Sequence, residues 1–193
     1  MSRAESKSGD SSEELRRKFA ESVVASAPAS ETQLLLTDYH WRNIPSEPWR
    51  GFNTWKFRVK GSAETPSILQ ALLHDDSYAY TFAGPYPPPQ KPDVRGPYVL
   101  NRLSPQSFEP ISRSNLWGEV DEFLREWSRP ASRSEIGLDE LIAKSIDEAD
   151  ELLHLKHDDS YLFETSWIVQ DFHEFIAIGR GAGSVLVVTT SAD

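Results

Sequence analysis

The chain has 193 residues, a formal charge of −10, 38% apolar residues and no cysteine. That length fits one domain with a substantial core, and the apolar share with six Trp, nine Phe and six Tyr excludes a disordered chain. The charge speaks against a general nucleic-acid or anionic-membrane binder, and the lack of cysteine excludes disulfides, thiolate nucleophiles and Cys-based zinc sites.

Residues 1–10 are polar and Ser-rich and are expected to form a disordered tail, leaving residues 11–193 as a single domain. They lack the apolar centre of a signal peptide, and no apolar run approaches a membrane span, so a cytoplasmic protein without membrane contact is expected. Ser11 and Glu14 fit a capping box that opens a helix with Leu15, Phe19 and Val23 on one face, ending near Ala27-Pro28. Gln33–Trp41 is expected to be a strand, followed by an irregular loop through Pro45 and Pro48. Trp55, Phe57 and Val59 then alternate with Lys56, Arg58 and Lys60, predicting a strand with one buried and one basic, wet face.

Thr65-Pro66 supplies an N-cap and a first-turn proline for a short helix with Ile68, Leu69, Leu72 and Leu73 inside. Tyr78, Tyr80 and Phe82 alternate as the next strand, and Gly84–Pro97, with six prolines, is a loop. Pro85–Pro88 and Pro89–Pro92 carry the spacing read by SH3-type modules, which is also common in stiff loops. Leu116, Trp117, Val120, Phe123, Leu124 and Trp127 define a helix stopped by Pro130. A second stripe from Leu138 through Ile142 and Ile146 to Leu152 and Leu153 predicts another helix, which should pair with the first or cover a sheet face. Tyr161–Val169, Phe175–Gly179 and Val185–Thr190 read as strands, the last two joined by a hairpin at Gly179–Gly183. Strands and helices in blocks indicate α+β: an antiparallel sheet with a C-terminal meander and about four helices on one side or end.

His-Asp-Asp-Ser-Tyr occurs twice, at His74–Tyr78 and His157–Tyr161, each time after a helix-like run and before a strand-like one. His74, Asp75 and Asp76 with His157, Asp158 and Asp159 would supply nitrogen and oxygen ligands for zinc, manganese or iron if the copies met. Turn chemistry accounts for the same residues: a cationic His at a helix end, then Asp-Asp-Ser turning the chain. His173-Glu174 after Asp171 is a further acid–imidazole grouping, and His40 beside Arg42 another possible contact. Gly179, Gly181 and Gly183 lack the spacing and the following helix of a dinucleotide fingerprint, and no motif calls for a cofactor.

Trp41, Arg42, Trp49 and Arg50 join the residue types enriched at interface hot spots to a proline-broken loop. Between Glu135 and Asp159 stand nine acidic residues, Asp147, Glu148 and Glu151 among them, against Lys144 and Lys156. Such a surface suits a basic protein partner. The sequence thus favours a non-catalytic, acidic protein-binding domain, of the type of immunity proteins that neutralise a basic partner such as a bacterial toxin. The alternative is a metal-dependent hydrolase using the two His-Asp-Asp segments.

Overall fold

The computed structural model describes residues 32–44, 47–61, 64–79, 94–126, 130–162 and 171–192, the side chains at 47–49 and 79 excepted. The expected N-terminal tail and helix, the proline-rich stretch before 94, Tyr80, Phe82, Trp127 and the segment 163–170 lie outside the described residues.

Strands β1 (Gln33–Ile44) and β2 (Glu47–Lys60) form a long antiparallel hairpin. The alternation holds: Trp55 and Phe57 are buried while Lys56, Arg58 and Lys60 are exposed. The expected loop is shorter than the two prolines suggested, because pairing resumes at Glu47 opposite Ile44. The register then slips before Asn43 meets Gly51. Pro48 sits in that slack, where its missing N–H breaks no ladder bond.

Helix α1 (Thr65–Leu73) has Glu64 rather than Thr65 at its N-cap, keeps Pro66 in its first turn and buries Ile68, Leu69, Leu72 and Leu73. It stops at His74, and a single helical turn, α2 (Asp76–Ala79), follows. Tyr78 is therefore helical, not the start of a strand. The cause is local: Asp75 Oδ1 accepts the Ser77 N–H at 2.8 Å and opens a new turn. Strands β3 (Val94–Arg95) and β4 (Tyr98–Val99) make a two-stranded ribbon around Gly96. Gly96 has φ +54°, and a Cβ there would fall 2.4 Å from the Phe172 ring, so only glycine fits this turn.

After two 3₁₀ turns and β5 (Phe108–Pro110), helix α3 (Arg113–Arg125) begins at Ser112, whose Oγ accepts the Asn115 N–H at 3.1 Å. Helix α4 (Leu138–Asp147) is shorter than its apolar stripe implied. Arg113 donates to the carbonyls of Ile146 and Asp147, satisfying the last turn, and the chain leaves as β6 (Glu151–Leu155). Leu152 and Leu153 thus lie on a strand between β5 and β7 (Asp171–Gly179) instead of on the helix. β8 (Ser184–Ala192) completes the expected hairpin with β7, and Tyr161, expected on a strand, lies in a 3₁₀ turn.

The main sheet has order β1-β2-β8-β7-β6-β5 and is antiparallel throughout. The fold is a mixed α+β domain with a C-terminal meander. Its helices divide between the two faces. Trp55, Phe57, Ile176, Ile178, Val185 and Val187 pack with the apolar stripe of α1. Phe52, Phe175, Leu186 and Val188 pack with α3 and α4. Cover on both faces explains why Phe175–Ile178 on β7 and Val185–Val188 on β8 are unbroken apolar runs.

Candidate functional site

The two copies of the pentapeptide solve the same local problem. Asp75 accepts from Ser77 N–H, and Asp158 accepts from Ser160 N–H, both at 2.8 Å. Burial pushes the Asp75 carboxyl above its usual range, whereas the hydrogen bonds from Ser160 hold that of Asp158 below it. Their histidines have different partners. His74 Nδ1 donates to the Gln70 carbonyl at the end of α1, at 2.8 Å. His157 shares a 3.1 Å hydrogen bond with the Tyr98 hydroxyl and lies 3.5 Å from Asp159. Asp76 opens the first turn of α2. The second copy follows strand β6 rather than a helix.

Of the residues selected for partner contact, Arg42 is exposed and Trp41 half-buried on β1. Trp49 lies on β2 with its side chain outside the described ones. Arg50 is spent inside: it is 1% exposed, donates to the Phe123 carbonyl and lies 4.8 Å over that ring. Asp147 and Glu148 project from the end of α4, with loose neighbours among the described residues in Arg113 at 3.6 Å and Lys144 at 3.9 Å. Glu151 is tied differently. It accepts from Thr65 and from Arg180 Nη2, the latter at 2.7 Å, and those bonds hold its carboxyl below the usual range. His40 is engaged by Asp38 at 2.9 Å.

A separate grouping forms where α3 crosses β6 and β7. His154 and His173 lie on the face covered by α3 and α4, with Phe175, because they share its strand parity and register. Their rings stack at 6.1 Å and 19°. Glu119, three residues after the buried Leu116 on α3, brings Oε2 to 3.4 Å from His173 Nδ1 and 3.6 Å from His154 Nε2. Asp171 Oδ1 holds the opposite ring nitrogen of His173 at 2.9 Å. Burial lowers the His154 pKa, with His173 adding to that and Glu119 opposing it. Burial also disfavours a cationic His173, but Asp171 and Glu119 outweigh it and raise its pKa.

Among the described residues these three side chains, Glu119, His154 and His173, are the group with donor atoms close enough to hold a metal ion. Asp171 and His173 were visible in the sequence as an acid–imidazole grouping. Their neighbour Glu174 points to the other face, where it binds Arg95. Glu119 and His154 were missed, and only the parity shared by His154 and Leu152 on one strand would have pointed to the latter.

No family model and no curated protein matches this sequence. Among solved structures, a crystal structure of citrus MAF1 is similar at 15% identity, with 79% of this chain and 93% of that chain covered and a TM-score of 0.37. A likeness that distant carries no argument about function.

Proposed function

We propose that the protein is a binding domain for a basic protein partner, engaged through the acidic outer surface of α3 and α4. The supporting observation is how these helices are used. Leu116, Val120, Phe123, Ile142 and Ile146 are all committed to the sheet, so what the pair and its C-caps offer outward is Glu122, Glu126, Glu140, Asp147 and Glu148 against Arg113, Arg125 and Lys144, all exposed and acidic in balance. Exposed carboxylates with loose partners add little to stability, and their field speeds encounter with a cationic surface. Neutralisation of a basic toxin is one role such a surface would serve.

The test uses the full chain as bait at low and high salt, beside the variant Asp147→Lys/Glu148→Lys. A basic partner should be held at low salt, released at high salt, and bound on the order of tenfold more weakly by the variant. Capture insensitive to both salt and charge reversal would overturn the reading. Glu151 is a poor choice for charge reversal, since its loss would also release Arg180 and Thr65. The hydrolase alternative has its own test in the metal content of His74→Ala and His157→Ala, and no contact joins the two histidines to favour it.

A further inference from the structure

We propose that Glu119, His154 and His173 form a binding site for a zinc-class divalent ion, with Asp171 as a positioning residue. Three observations carry this, all independent of the partner-binding surface. The first is spacing. Metal–ligand bonds of about 2.0–2.2 Å in tetrahedral geometry place donor atoms roughly 3.3–3.6 Å apart. Glu119 Oε2 lies 3.4 Å from His173 Nδ1 and 3.6 Å from His154 Nε2. The third edge, between the imidazoles, lies within 4.8 Å, and ion binding would draw the two rings together. The same separations are too long for good hydrogen bonds between these atoms.

The second observation is an unmet need. Glu119 Oε2 is shielded from solvent and has no hydrogen-bond partner among the described residues, with only the longer contacts to the two imidazoles it is aimed between. A buried carboxylate oxygen left in that state costs free energy that a cation would recover. Asp171 Oδ2 and Thr190 Oγ1, on the same face and next to His173 along and across the strands, are also buried without hydrogen bonds. Polar capacity is concentrated here beyond what the described residues satisfy.

The third is orientation. His173 Nε2 lies 2.9 Å from Asp171 Oδ1, so in the neutral tautomer that donates Nε2–H to this carboxylate, Nδ1 is left as a lone-pair donor on the Glu119 side. This is the carboxylate–histidine arrangement that tunes metal ligands, and each ligand comes from a different element, α3, β6 and β7. Two imidazoles and one carboxylate favour zinc over magnesium or calcium, which prefer all-oxygen shells. Three protein ligands leave a fourth position for water or an incoming donor atom. Glu109, opposite His154 in the β5–β6 register, adds negative charge beside the site.

The full chain, stripped with a chelator, is titrated with zinc against a chromophoric competitor and with cobalt(II) by visible spectroscopy. One equivalent of each is expected, with cobalt showing the intense bands of a four-coordinate site. Glu119→Gln, His154→Ala and His173→Ala should each weaken zinc binding at least a hundredfold, and Asp171→Asn by roughly ten- to a hundredfold. His74→Ala and His157→Ala should bind like the parent chain. Failure of the parent chain to take up one equivalent, or a cobalt spectrum of octahedral type, overturns the proposal without any variant having to fold. Unchanged affinity in His154→Ala or His173→Ala overturns it too.

Discussion

Arg95 and Glu174 are both wholly buried, and each is fastened at more than one point. Arg95 Nε meets Glu174 Oε2 at 2.5 Å, Arg95 Nη1 donates to the Tyr78 carbonyl at 2.8 Å, and the Tyr78 hydroxyl donates to Glu174 Oε1 at 2.5 Å. The guanidinium also lies between the Trp55 ring, at 4.5 Å, and the Tyr78 ring, at 4.0 Å. Desolvating two ions costs about what their attraction returns, so the pair adds little net stability but is costly to break. Glu174→Leu alone should lower unfolding free energy by about 3–5 kcal/mol, because it strands a buried cation. Arg95→Met added to it should recover much of that loss. Urea denaturation of the two single variants and the double one decides: strictly additive losses would show that the charges are independent.

At the scale of elements, the short turn at Asp75 separates two contributions of one side chain. Its Oδ1 accepts the Ser77 N–H, as an N-cap would, but burial disfavours its charge. A folded-state pKa above the unfolded one means the acid's contribution is fully present below the unfolded value and is lost as pH rises through the folded one. Asp75→Asn keeps the acceptor and removes the charge, so at neutral pH it should match or exceed the parent in stability. Asp75→Ala should lose about 1 kcal/mol with the acceptor. Thermal melts at pH 4 and pH 7 check both the order and its pH dependence.

Elements were legible in the sequence where the pattern that forms them is local. The alternation of Trp55, Phe57 and Val59, the proline-started stripe of α1 and the hairpin before β8 all specify themselves. Leu152 and Leu153 did not, because they continue a helical stripe and their strand partners lie far off in the chain. The Arg113 side chain that closes α4 is equally remote. The metal candidate was hidden for the same reason: Glu119, His154 and His173 share no short spacing, and only the register of β6 on β7 under α3 gathers them.

For the whole molecule, the net charge of −10 acts on stability through self-repulsion. Added sodium chloride up to moderate concentration should therefore raise the melting temperature, most steeply at the low end where screening changes fastest. A flat or falling response would mean that local ion pairs such as Arg180–Glu151, at 2.7 Å, outweigh the repulsion. Strand β8 has a different kind of reach. It alone joins the β1–β2 hairpin to the β7–β6–β5 meander, pairing Arg50 with Ala192 and Arg58 with Ser184. During synthesis at ~5–20 residues per second, the hairpin would exist for on the order of ten seconds before that strand is made. Through that interval the inner edge of β2 lacks the strand that fills its backbone donors and acceptors in the folded sheet, so β8 is the element whose docking closes that edge.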